Sequence, residues 1–361
     1  MLHKGFFRFF ASSFAAAALM LLLCCAQSAQ AAPVILKFAE QNPPDHYATV
    51  SMNEIAKAVE KKTDGRIQIK VYPANQLGDY SLVYEELIRG TVEMAAISFP
   101  SQFDSRMDLI YVQGYTSSYE QVAKVYDPNG WFFKKMDEFN KALGVKLLGM
   151  YLEGMVGICT VKEMRDPLNP KVDHGVLLRI PNMDVFKTAL EGAKYRTISI
   201  PFADVYQSMQ TSVCDGDTGY SIVAAYTALG DVIKNWYNLN KNTECLGIMI
   251  SAKVWDKLSD GDKKILQEEV NKQVALSIKN AEANDKKYLD LMRKKGIKVH
   301  TYTTEQLRPL MEAFAATWGQ LDSTKGKELM GRVPHGDEKY TEQHQTIKTS
   351  AAAHSEGGGA A

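Results

Sequence analysis

The chain is 361 residues long, carries 42 Lys and Arg against 42 Asp and Glu, and is 45% hydrophobic. That balance argues against a nucleic-acid binder, which carries a basic excess or stripe. The composition excludes collagen, a disulfide scaffold and a generally disordered chain, and the length allows two domains, each with its own core.

Residues 1–31 read as a cleavable signal peptide, which would place the mature chain in the periplasm. Lys4 and Arg8 open it, an apolar run from Phe14 to Cys25 follows, and Ala29-Gln30-Ala31 offers small residues for cleavage. The run of about a dozen apolar residues is short of the ~20 that span a bilayer as a helix. Cleavage leaves 40 basic against 42 acidic residues, and three cysteines, Cys159, Cys214 and Cys245. An odd number permits at most one intramolecular disulfide and leaves a thiol over.

A short strand is predicted at Ile35–Phe38. Ser51 and Glu54 match a capping box, opening a helix that Asp64-Gly65 stops. Ile67, Ile69 and Val71 alternate as in a strand, ended by Pro73. A helix at Ser81–Arg89 and a strand at Val92–Ser98 repeat the pattern. Further strands are predicted at Lys146–Met150, Val176–Ile180, Arg196–Ile200 and Leu246–Ile250, with helices at Met183–Glu191, Phe202–Thr211 and Ile222–Leu229. Apolar residues from Ile265 to Leu291 recur near 3.6 spacing, predicting a helix from Asp262 to about Lys295, ~50 Å long, open to a kink or laid across two lobes. Ile297–Tyr302 reads as a last strand and Thr304–Leu321 as a last helix. The tail, 346–361, reads as disordered. The alternation argues for an α/β architecture with largely parallel sheets.

No metalloprotease, nucleophile-elbow, phosphate-loop, dinucleotide or paired-cysteine motif occurs in the mature chain. Its histidines are scattered without zinc-ligand spacing. Asp215-Gly216-Asp217 resembles the start of a calcium loop but lacks the further acidic positions, and reads as a loop. No metal or cofactor is expected. A ligand cleft between two α/β lobes fits the motifs better than an enzyme.

Three stretches carry a family resemblance: LKFAEQNPPDHYA through KKTDGRIQIKVYPANQLGDYSLVYEELIRGTVEMA (36–95), GVLLRIPN followed by IPFADVYQSMQTSVCDG (175–182 and 200–216), and ISAKVWDKLSDGDKKILQE (250–268). In this order they resemble the DctP-type solute-binding subunits of TRAP transporters. The resemblance implies a two-lobed periplasmic-binding-protein-like fold with hinge strands and a long helix spanning both lobes. It divides the chain into lobe I (34–154 plus 246–285) and lobe II (155–245 plus 286–345). The implied partners are a small organic-acid ligand and the small and large membrane permease subunits.

The resemblance makes Arg179 the residue that would grip a ligand carboxylate, since a planar guanidinium offers two parallel donors. Phe202 stands where the family places an aromatic against the ligand. Asn182 would contact ligand or cap the next helix, and Ser98 aligns with a polar contact. Two family positions have become glycine: the second ligand Arg falls on Gly157, and Gly219 stands where an Asn is common. These changes are expected to open volume beside Arg179. With Tyr220, Tyr151, Phe99 and Trp236 expected near the cleft, they point to a monocarboxylate with a bulky or aromatic body. Glu153 would pair with a hydroxyl or amine of the ligand, or with a basic residue of the hinge. Cys159 and Cys245, expected on neighbouring crossover strands, are the candidate disulfide pair. The leading reading is a non-enzymatic solute receptor for an organic acid. Others are a receptor for a neutral or amine-bearing solute, a secreted α/β enzyme with a dispersed site, and a sensor for a membrane signalling partner.

Overall fold

A computed structural model describes residues 32–116 and 118–325. The expected signal peptide and tail lie outside the described residues. One nine-stranded sheet runs through the protein in the order β2-β1-β3-β8-β4-β7-β5-β6, with β9 also paired to β8. The strands are β1 (Val34–Glu40), β2 (Ile67–Tyr72), β3 (Met94–Ile97), β4 (Val145–Thr160), β5 (Leu177–Ile180), β6 (Arg196–Ser199), β7 (Gly216–Asp217), β8 (Asn235–Ser251) and β9 (Lys298–Thr301).

The centre of the sheet is antiparallel, contrary to the expectation of largely parallel pairing. β8 lies between β3 and β4 and runs antiparallel to both. Parallel pairs survive on the flanks, where helical crossovers permit them: β1 with β3, β5 with β6 and β7, and β8 with β9. β4 and β8 are 16 and 17 residues long, against a usual five or six. The predicted strands at Lys146–Met150 and Leu246–Ile250 are only one end of each. Their pairing runs from Val145↔Ser251 to Thr160↔Asn235, with register shifts at Leu147/Gly149, Leu152/Gly154 and Val156/Ile158. Bulges of this kind bend and re-aim a strand. One end of the ribbon carries β3 and β1, the other β7 and β9, so these two strands join both flanks of the sheet.

The helix Asp260–Lys294 is continuous over 35 residues, about 50 Å at ~1.5 Å per residue. Leu266, Val270 and Val274 pack it into one core with Phe38, Met94 and Ile248. Farther along, Ala281 and Met292 join the large central core. Ile158, Leu178, Leu190 and Phe314 form a separate cluster. Between these contacts Asp285 lies over the hinge. Its Oδ2 accepts from the backbone N–H of Met155 (2.9 Å) and from Tyr119 Oη (2.6 Å). Gly154 beneath it has φ +140°, and a Cβ there would come within 2.3 Å of Asp285 Oδ1. Only glycine fits this position.

Two local expectations are corrected. The first helix begins at Tyr47, not after Ser51, because His46 is its N-cap and accepts from Ala48 N–H through Nδ1. Ser51 lies inside the helix, with Oγ 2.9 Å from Tyr151 Oη. Cys159 and Cys245 do not form a pair: Cys159 faces Trp236 across the ladder and Cys245 faces Leu152. Cys159, Cys214 and Cys245, the cysteines among the described residues, are free and buried. Titration of the mature chain, denatured without reductant, should therefore give three thiols; a count of one would restore a disulfide.

Candidate functional site

The site begins with the register of β5 against β7. Arg179 lies opposite Asp217, and Nη1 donates to Asp217 Oδ1 at 3.0 Å. Nε donates to the Ile200 carbonyl at 2.8 Å. Asp217 Oδ2 is held by the N–H groups of Gly219 (2.7 Å) and Tyr220 (3.1 Å). The guanidinium is 1% exposed. Burial alone would lower its pKa, but Asp217, with Tyr220 and Tyr80, outweighs that and raises it. Its two described hydrogen bonds leave the Nη2 amino group for a solute.

Arg179 looks into a narrow cavity of about 10 Å³. Pro181, Met183, Phe186, Phe202 and Gly219 line it from the same lobe, and Tyr80, Ser98, Tyr111 and Glu244 from the other side. The walls meet around it: Ala203 N–H donates to Asp79 Oδ2 at 3.2 Å, and the Tyr111 and Phe186 rings lie 5.9 Å apart.

Of the residues singled out in the sequence, the cavity brings together Arg179, Phe202, Gly219 and Ser98. Tyr220 stands one layer back, its ring stacked on Phe202 at 4.5 Å. Asn182 is exposed and neither lines the cavity nor caps the helix that follows, whose N-cap is Met183. Tyr151 belongs to the core that packs against Leu266, Val270 and Val274 of the long helix. Phe99 is buried too, and its N–H donates to Tyr111 Oη at 2.8 Å. The expected space beside Arg179 is not there. A Cβ on Gly157 would stand 2.6 Å from the Trp236 indole, and one on Gly219 2.8 Å from Arg179 Nη1. Gly157 is thus a packing position under Trp236, and Gly219 lets Arg179 approach the backbone.

Glu153 does not line the cavity. It belongs to a buried polar chain at the hinge, where Asn42 Nδ2 donates to both Glu153 and Glu40. Burial pushes Glu40 and Glu153 up to about 8 and pushes His46 down to about 3. The carboxyl groups therefore hold protons in the folded chain that the unfolded chain releases above its ordinary carboxyl range, so their contribution falls as pH rises to about 8. His46 acts oppositely, but only below its unfolded value near 6.5. Lys241, pushed down to about 7 by burial, opposes them above that pH, so the carboxyl groups set the slope between pH 6.5 and 7. The melting temperature should fall across that window in urea-free thermal scans; a rise would contradict the assignment.

Sequence reading missed Tyr80, Tyr111, Pro181, Met183, Phe186 and Glu244. Pro181 and Met183 were within reach, since they flank the Arg179 motif. Glu244 also left a signal, as an acidic residue inside the run Thr243–Ile250. It is 4% exposed, and its Oε1 accepts from Ser98 Oγ at 2.7 Å, while Ser98 is itself fixed by Gln41. Burial and Glu153 raise its pKa well above the usual range, against the lowering effect of Ser98, Arg179 and Lys241.

The model of the bacterial extracellular solute-binding proteins, family 7 (DctP), matches residues 38–324. The chain belongs to this family. It is 25% identical over 292 residues to the sialic acid-binding periplasmic protein SiaP of Vibrio cholerae, covering 78% of this chain and 87% of that protein. It is 26% identical over 305 residues to the C4-dicarboxylate-binding periplasmic protein DctP of the same organism, covering 82% and 89%. Among solved structures it resembles the sugar acid binding protein DctPAm of Advenella mimigardefordensis in complex with galactonate (TM-score 0.77, 20% identity, 83% of this chain and 96% of that one). It also resembles a TRAP periplasmic solute binding protein of Sulfurospirillum deleyianum with bound succinate (TM-score 0.76, 21% identity, 84% and 98%). These likenesses show the two-lobed fold of the TRAP binding proteins. No described helix is long and apolar enough to cross a membrane.

Proposed function

We propose that this protein is the periplasmic solute receptor of a TRAP transporter. It captures an organic acid with one carboxylate and delivers it to the small and large membrane permease subunits, without catalysing a reaction. One observation carries the reading: Arg179 is buried, is fixed by Ile200 and Asp217, and faces a cavity walled by both lobes. A guanidinium so held reads a carboxylate by geometry as well as charge. Asp217 supports a single anion at this point, because it already answers part of the Arg179 charge. The remaining wall is apolar and aromatic, which suits an acid with an apolar body of modest size. Relatives bearing the names of sialic acid and C4-dicarboxylate receptors support the organic-acid class. Residues 1–31 would direct export and be removed. The division into 34–154 with 246–285 and 155–245 with 286–345 is part of the same reading, supported by the bulges in β4 between Leu152 and Ile158.

Closure on a ligand is a population shift that the ligand's preference for the closed form must drive. A thermal-shift screen of carboxylic acids tests the reading directly. A true ligand at a hundredfold over its Kd should stabilise the folded chain by ~2.7 kcal/mol. A screen in which only carboxylate-free solutes shift the melting temperature would remove the acid from the proposal.

A further inference from the structure

The cavity has a second, acidic wall that the carboxylate does not use. Glu244 reaches it from β8, with Oε1 committed to Ser98 and no described residue donating to Oε2. The cations nearby are already engaged. Arg179 is ion-paired to Asp217, and the Lys241 ammonium donates to Gln113, Thr218 and Asn242. Burial and Glu153 hold the Glu244 carboxyl well above its usual range, so it becomes an anion there only beside a cation. Buried charges persist when they are paired and hydrogen-bonded. A ligand ammonium would supply that cation and the missing donor to Oε2.

We propose that Glu244 is the second anchor of the solute and that the solute is a zwitterion of the amino-acid type, its carboxylate on Arg179 and its ammonium on Glu244. The ammonium sits beside the Ser98 hydroxyl, and the side chain lies against Met183, Phe186 and Phe202. This deepens the receptor reading above and rests on it. This gives Glu244 an amine contact that was one of the roles expected of Glu153.

Isothermal titration calorimetry of the mature chain tests it with valine, leucine, methionine and phenylalanine, each beside its α-hydroxy and amine-free analogue. Mass spectrometry of solute released from the purified chain by denaturation covers ligands outside that set. At least one amine-bearing acid should bind, and its two analogues should bind at least tenfold more weakly. Glu244→Gln should weaken the amine-bearing acid about a hundredfold, as expected for a buried charge pair broken on one side, without weakening its α-hydroxy analogue. Glu244→Asp, which keeps the charge, should retain part of the affinity, and its binding guards against a misfolded Gln variant. An amine-free acid that binds as tightly as its amino counterpart, or is the solute released, overturns the proposal. So does amino-acid affinity unchanged in Glu244→Gln. If that amine-free acid still depends on Arg179, the receptor reading stands and only the zwitterion falls. If no carboxylate binds and none is released, both fall.

Discussion

Arg179→Ala should lose stabilisation by every solute that shifts the wild-type melting temperature, and should itself be less stable. The two effects share a cause. The guanidinium is the cation facing the proposed solute and also the partner of Asp217, which is as buried as Arg179. Removing one member of a buried pair leaves the other uncompensated, at a cost of about 3–5 kcal/mol. The N–H groups of Gly219 and Tyr220 that still bind Asp217 hold the loss toward the lower end. Arg179→Lys separates the roles. A single ammonium keeps the charge for Asp217 but cannot also reach Ile200 in the same plane and present a free edge to a carboxylate. It should fold nearly as well as wild type and bind about a hundredfold more weakly. Calorimetry and thermal unfolding of both variants check this. Undiminished binding by Arg179→Lys would mean that the solute is not read by a fork.

Gly154→Ala should destabilise the chain by about 3 kcal/mol. Its φ of +140° costs a residue with a Cβ about 1–3 kcal/mol. The added methyl would also meet the carboxylate of Asp285, whose Oδ2 is tied to Met155 and Tyr119. Either the long helix shifts outward or the bulge in β4 is lost, and both disturb the crossing between lobes. Solute affinity should fall as well, although Gly154 lies outside the cavity. Denaturant unfolding measures the first effect and calorimetry the second. A loss below about 1 kcal/mol would show that the hinge adapts freely.

Which parts of this architecture were legible in the sequence follows from where its polar residues sit. Ile67, Ile69 and Val71 face a half-covered strand, and the apolar rows of the long helix face two cores, so periodicity found both. β4 and β8 were found at one end only. Their other halves, around Glu153-Gly154 and Lys241-Asn242-Thr243-Glu244, carry polar side chains that read as exposed loop. In the folded chain these residues are buried and answer one another at the hinge, a state that depends on partners far away in sequence. The same cause hid Glu244 from the site. The Arg179 motif was readable because its neighbours keep a recognisable order. The glycines misled, since a missing side chain tells nothing about what fills the gap; here Trp236 and Arg179 do. The cysteine pairing failed on register alone, because neighbouring strands had been identified without the alignment of their residues.

The central position of β8 also orders events during synthesis. β3 and β4 are both made well before residue 235, yet each needs β8 as its neighbour. Until residue 251 has emerged, the growing chain carries two open strand edges and no complete lobe. Such edges are templates for mispairing, and contacts this distant in sequence form slowly. The export proposed for this chain would gain from that delay. The chain would stay unfinished, and so threadable, over more than two thirds of its length, with its folding deferred to the far side of the membrane.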